Sequence, residues 1–320
     1  MLDWLISLWS DPNTRWILMG CTLLGLGSGV IGSFTFLRRE SLLGDTLAHA
    51  ALPGVCVAFM LNEVKSASLF LVGALIAGIA AVLCVSAISR WTRIKSDAAM
   101  GIVLTFFFGV GTVMLTHIQH SGSGSQSGLD KYLFGQAAAM VTGDVYILMG
   151  VSVLLIVAAM LLFKEFKLIS FDPGFARGIG LPVGLLEHGL LILTTVAVAA
   201  GIQAVGVVLV AALLITPAAA ARYWTDRLPV MLMYAGLFGA LSGASGAAIS
   251  TLGEGIPTGP VTVLAATLLF ALSLLLAPGR GLLSRSLRHR SLKADYARSA
   301  DQGALNAAES LNAAEGGTRK

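Results

Sequence analysis

Nine apolar runs decide what this chain can fold into. They occupy residues 16–37, 41–61, 67–89, 98–117, 141–163, 185–201, 204–222, 230–250 and 259–277, and each has the length an α-helix needs to cross about 30 Å of hydrocarbon. In lipid every backbone N–H and C=O must be bonded inside the protein, so runs of this length can span only as helices. The expected fold is an all-α, polytopic transmembrane helical bundle. Only GIQAVG, Gly201 to Gly206, separates the sixth and seventh runs. Glycines flanking polar residues fit a tight reversal there, which gives nine segments; a re-entrant break gives eight. Composition agrees, with 12% charged residues against about 25% in soluble domains.

Loop charge sets an expected direction. Alternating the segments puts Arg38, Arg39, Arg90, Arg93, Lys95, Lys164, Lys167, Arg177, Arg222 and Arg227 on one side and Arg15, Lys65 and Lys131 on the other. The positive-inside rule makes the first side cytoplasmic, with the N-terminus outside and the C-terminus inside. Residues 1–15, with Trp4 and Trp9 as anchors and no signal-peptide pattern, read as an extracytoplasmic interfacial segment. Residues 16–279 form the transmembrane domain, and 280–320 a polar cytoplasmic tail, basic at its start. The basic residues sit in short loops, so the net charge of +4 implies lipid rather than nucleic acid as neighbour. Cys21, Cys56 and Cys84 lack metal or redox spacing and read as small buried hydrophobes. Gly25 and Gly29, and again Gly239 and Gly243, have the GxxxG spacing of close helix packing.

The stretch SLLGDTLAHAALPGVCVAFM, Ser41 to Met60, breaks the apolar rule. Asp45 and His49 lie one helical turn apart on one face. An ionisable side chain at membrane depth costs roughly 2.5–3.5 kcal/mol, so two on one face imply a polar path or a partner. A carboxylate and an imidazole so placed can converge on one cation, with the remaining donors coming from other helices or a second subunit; the alternative is a local ion pair that locks packing. Pro53 and Gly54 follow, and a proline inside a span bends the helix and frees a carbonyl, as a gate would need. By position in sequence Asp45 lies only a turn above Ser41, close to the basic side.

Two further features bear on chemistry. The loop KEFKLISFDPGFARGIGLPVG, Lys164 to Gly184, mixes charge with Phe166, Phe171 and Phe175, and Asp172-Pro173 begins a short helix by capping and preset φ. An amphipathic helix under the membrane results, fit either to dock another protein or to sit among headgroups. Asp97 and Asp144 read as N-caps of the fourth and fifth segments. His117 and His120 read as solvated, and His188 with Glu187 as a cap near the basic side. The sequence carries no phosphate loop, no H-E-x-x-H, no G-x-S-x-G and no zinc-spaced cysteines, so no ATPase or other enzyme activity is expected of this chain.

The motifs LRRESLLGDTLAHAALPG (37–54), RIKSDAAMGIVLT (93–105), SFDPGFARGIG (170–180), VGVVLVAALLITPAAAA (205–221) and STLGEGIPTGP (250–260) resemble those of the membrane permeases of ABC-type manganese, zinc and iron importers, the ABC-3 family. The resemblance spans roughly 16–279. It implies a permease domain in a bacterial cytoplasmic membrane, acting as a homo- or heterodimer with a second permease subunit. A cytoplasmic ABC ATPase dimer would drive it, and an extracellular metal-binding protein would deliver the ion. It implies metal ligation by Asp45 and His49, and coupling to the ATPase through Phe171, Asp172, Pro173, Gly174, Phe175, Ala176, Arg177 and Gly178. The implied cargo is a divalent metal rather than a permanently bound cofactor. SGLDKYLFGQAA (127–138) is similar to the manganese and iron branch, so manganese comes first, then iron or zinc. Two other readings compete: a proton-coupled secondary metal carrier using Asp45 and His49 as a relay, which would need no docking helix, and a membrane scaffold, which leaves the pair without purpose.

Overall fold

The computed structural model describes residues 12–62, 67–120, 142–251, 256–278, 281, 282 and 284. Trp4 and Trp9, Lys65, Lys131, the 127–138 stretch, residues 252–255 of the 250–260 motif and the tail from 285 lie outside the described residues. The chain divides into two compact units, Met1–Ala271 and Leu272–Lys320.

Each apolar run becomes a helix: α1 (Pro12–Leu37), α2 (Leu43–Asn62), α3 (Ala67–Trp91), α4 (Ser96–His120), α5 (Thr142–Leu161), α8 (Val183–Val205), α9 (Val207–Trp224), α10 (Leu228–Ser250) and α11 (Thr258–Leu276). Between α5 and α8 lie two short helices, α6 (Phe163–Phe171) and α7 (Pro173–Gly178). Among the described residues eight helices are long and apolar enough to cross a membrane, and α9, at 18 residues, is a shorter ninth. The break at Gly206 is a reversal. Its φ of 91° and ψ of 164° end α8 in a conformation that only glycine adopts without strain. Beyond it α9 runs back: α8 starts beside Arg38, while the other end of α9 packs Ala218 and Ala221 with Phe36 and Leu37.

Helices α1, α5 and α10 form one group and α2, α3 and α4 another, with α8 and α9 touching both. The spaced glycines explain the seam between α1 and α10. A Cβ on Gly25 would overlap the Gly239 carbonyl oxygen, and one on Gly243 that of Cys21. Gly54 and Gly73 make the same kind of contact between α2 and α3. With no side chains between them, backbones approach closely, as the spacing predicts.

The basic loops gather at one end. Arg38, Arg90, Ser96 and Glu187, from the ends of four helices, line one cavity, and α6 reaches the same end by stacking Phe166 edge-on to Phe34, with 5.5 Å between centroids. Two expectations shift. Cys21 and Cys56 are buried but Cys84 is exposed, because it falls on the outward face of α3. Asp97 and Asp144 lie in the first turns of α4 and α5 rather than capping them, where their charge still meets the positive helix end. Within the second unit, the Ser284 hydroxyl donates to the Gly281 carbonyl at 2.9 Å.

Candidate metal-binding site

The first half of α2, Leu43 to Leu52, is walled in on nearly every side. Leu43, Leu47, Ala48, Ala50, Ala51 and Leu52 are all buried, the Thr46 hydroxyl donates to its own Leu42 carbonyl at 2.8 Å, and a Cβ on Gly111 of α4 would press Leu52 at 2.7 Å and Pro53 at 2.9 Å. In this stretch the two residues left partly open are Asp45 and His49, with side chains 43% and 22% exposed. Their facing atoms, Asp45 Oδ1 and His49 Nε2, stand 3.4 Å apart. Asp45 belongs to the first turn of α2, where the helix dipole favours a carboxylate. The His49 ring meets the ring of Phe108 edge to face, with centroids 4.9 Å apart, which fixes the imidazole plane.

His49 reaches deeper than its place in the sequence indicates. Phe108 is the midpoint of the 25-residue α4. Leu47 lies against Gly78, which sits near the middle of α3 and also touches Thr195 of α8. Asp45 stays nearer the basic end, since the neighbouring Thr46 hydroxyl lies 3.4 Å from the Met100 carbonyl in the second turn of α4 and Leu43 lines one cavity with Arg38 and Ser96. Just before α2, Arg39 takes a left-handed conformation (φ 61°) after α1, and Arg38 turns inward to an acidic pair. Its guanidinium lies 3.0 Å from Glu40 and 3.4 Å from Glu187 of α8.

This arginine-centred cluster is absent from the sequence reading, because 149 positions separate Arg38 from Glu187. It lines a cavity of about 170 Å³ with Ser86, Ser89, Arg90 and His188. The Glu40 side chain is 15% exposed, and burial pushes its carboxyl above the ordinary range, with Arg38 opposing and Glu187 and Asp97 adding. The second carboxylate oxygen of Glu40 is buried without a hydrogen-bond partner. Glu187 thus pairs with Arg38, while His188 bonds through Nδ1 to the Gly184 carbonyl.

The expected loop helix is two helices. Asp172 caps α7 as predicted, its Oδ1 accepting from the Phe175 N–H at 2.8 Å. The aromatics divide: Phe166 is fully buried, whereas Phe171, Phe175 and Ile179 are more than half exposed. They make an apolar knob at the basic end. His117 and His120 are both exposed at the other end of α4, and His120 Nδ1 lies 2.8 Å from the Thr116 carbonyl. Among the described residues no group of three or more histidine, cysteine, aspartate or glutamate side chains converges on a metal position. Asp45 and His49 bring together one carboxylate and one imidazole, two side chains of types able to ligate a metal.

The family model described as the ABC 3 transport family matches residues 10–277. The chain is 50% identical over 290 residues to the manganese transport system membrane protein MntC of Bacillus subtilis, covering 90% of this chain and 67% of that one. It is 42% identical over 286 residues to the zinc transport system membrane protein TroC of Treponema pallidum, covering 89% and 96%. Among solved structures it is similar to PsaBC from Streptococcus pneumoniae in complex with Fab, with a TM-score of 0.78, 30% identity and coverage of 90% of this chain and 99% of that one.

Proposed function

This chain belongs to the ABC 3 transport family and is a multi-pass bacterial membrane protein, and we propose that it is the permease subunit of an ATP-binding-cassette importer that carries divalent metal ions into the cytoplasm. The observation that carries the reading is the Asp45 and His49 pair, partly open on the otherwise buried Leu43–Leu52 half of α2. Donors 3.4 Å apart, each about 2.1–2.2 Å from a shared ion, subtend about 105° there, between octahedral and tetrahedral demands. Two ligands do not complete a coordination shell. A second permease copy presenting the same pair supplies two more, and water fills the rest. The open face of α2 and α4, where Ile102, Phe106 and Val113 are exposed, suits that copy.

Manganese is the favoured cargo, with iron(II) and zinc next. An oxygen and nitrogen donor set without thiolate suits all three, and the relatives named above carry manganese and zinc in their names. The basic end faces the cytoplasm by the positive-inside rule, and the exposed Phe171 and Phe175 with Asp172–Gly178 make the docking surface for an ABC ATPase dimer. An extracellular metal-binding protein delivers the ion to the opposite end. ATP is hydrolysed by the ATPase, and this chain contributes the path. Pro53 and Gly54, one turn above the pair, form its gate, which moves together with α3 because Gly54 seats on Gly73.

The test is manganese accumulation in cells whose own importer is deleted. Asp45→Ala and His49→Ala, present in the membrane at the wild-type level, are each expected to lower accumulation roughly tenfold or more, the scale on which metal sites lose affinity. Wild-type accumulation by both variants would remove the site assignment. Metal movement by the purified chain in liposomes lacking any ATPase would remove the importer reading.

A further inference from the structure

Helices α5 and α10 both pack on α1 and leave a gap between them. The gap is an apolar groove of about 710 Å³, with Leu26, Val30 and Gly236 on its floor and Ile156, Met160, Met233 and Leu237 along its walls. Gly236 keeps the floor low: a Cβ there would meet Val30 Cγ2 at 3.2 Å. Along α10 the lining runs from Pro229 to Ala240, about 16 Å at helical rise, which is roughly the hydrocarbon depth of one leaflet. The lower end of the groove, at Phe163 and Pro229, coincides with the basic end of the bundle. Lys164 follows Phe163, Arg227 precedes Leu228, and both side chains are exposed. Of the nearby acids, Glu165 has its Oε2 buried in the protein, and Asp226 is paired with Arg222 at 3.2 Å.

We propose that this groove binds one acyl chain of an anionic phospholipid, whose headgroup phosphate is held by Lys164 and Arg227. The groove is apolar over one leaflet and cationic where that leaflet ends, the complement of a lipid with a negative headgroup. The chain's own last helix lies elsewhere: Thr262 of α11 sits against Gly246 and Phe270 against Tyr223. The second permease copy has its place on the α2 and α4 face. The inference is independent of the metal assignment, since no residue is shared with it.

Native mass spectrometry of the full-length chain, extracted in detergent and titrated with phosphatidylglycerol or phosphatidylcholine of equal chain length, tests the proposal. The wild type is expected to retain phosphatidylglycerol roughly 30-fold better, the product of two basic contacts. Lys164→Glu with Arg227→Glu should abolish that preference, and Met233→Trp, which fills the groove from an exposed wall position, should lower binding of both lipids. A wild type that does not discriminate, or a double variant that still does, overturns the headgroup assignment; undiminished binding by Met233→Trp overturns the groove. Disulfide crosslinking of Met233→Cys between two copies, in a Cys84→Ser background, would make the groove a protein interface and overturn the proposal as well.

Discussion

Replacing Arg38 by methionine would leave two carboxylates facing each other without their cation. Breaking a fully buried ion pair costs about 3–5 kcal/mol. Here the Glu40 and Glu187 side chains are 15% and 26% exposed, so solvent shares the load and about 2–3 kcal/mol is the fitting range. For a domain of this size that lowers Tm by roughly 5 °C. The loss should depend on pH. Burial raises the Glu40 carboxyl above its ordinary value of 4.5, and Arg38 is the influence that lowers it. Between the ordinary and the raised value the folded chain holds more protons than the unfolded one, so stability falls as pH rises through that window. Removing Arg38 carries the window further upward. Arg38→Met should therefore be least harmful near pH 5 and most harmful near pH 8, and adding Glu40→Gln should recover much of the pH 8 loss. Intrinsic tryptophan fluorescence during heating, on the purified chain in detergent from pH 5 to pH 8, measures both. An equal Tm loss at the two ends, or no recovery by Glu40→Gln, would refute the idea that the cluster is held by Arg38.

Three other expectations follow from the packing. Gly25→Val must push α1 off α10, because its Cβ would overlap the Gly239 carbonyl oxygen and lie 2.6 Å from the carbonyl carbon; a loss of about 1–3 kcal/mol or more is expected, read as lowered Tm or lost membrane expression. Gly206→Ala, at a φ of 91°, should cost about 1–3 kcal/mol in backbone strain and increase proteolysis between α8 and α9. Phe171→Ser with Phe175→Ser should leave Tm unchanged, since both rings are more than half exposed, yet abolish ATP-dependent manganese uptake in reconstituted liposomes; retained uptake would move the docking surface elsewhere.

What the sequence discloses and what it hides divide along a physical line. Segment length and apolar periodicity are local, so the helices, the Gly206 reversal, the Asp172 cap and the GxxxG seams could all be read in order along the chain. The Asp45 and His49 pair was legible for the same reason, being one turn apart on one helix. Depth was not. Counting up from Ser41 puts Asp45 near the basic side, where the Thr46 contact with Met100 keeps it, and only the ring contact of His49 with Phe108 shows how far the pair reaches toward mid-bundle. The Glu40, Arg38 and Glu187 cluster, the Phe108 ring over His49 and the α5–α10 groove each join elements far apart in sequence, and nothing in the order of residues announces them.

The glycine seams also decide where this bundle can yield. Where backbone meets backbone, as at Gly25 with Gly239 or Gly54 with Gly73, there is no layer of side chains to rearrange. A shift of an ångström there either collides or opens a void, and close-packed interiors tolerate neither. Helices α1 and α10 are thus bound to travel as one solid piece, and α2 and α3 as another. Helix α9 belongs to the first piece, because a Cβ on Gly32 would overlap the Leu214 carbonyl oxygen, so a conformational change that serves the proposed function has to be taken up where α8, α2 and α3 meet that piece. The Gly206 reversal, which joins α8 to α9, and the Glu187 pair with Arg38 in the first turns of α8 both lie along that boundary, so the hinge and its restraint sit at the two ends of one helix.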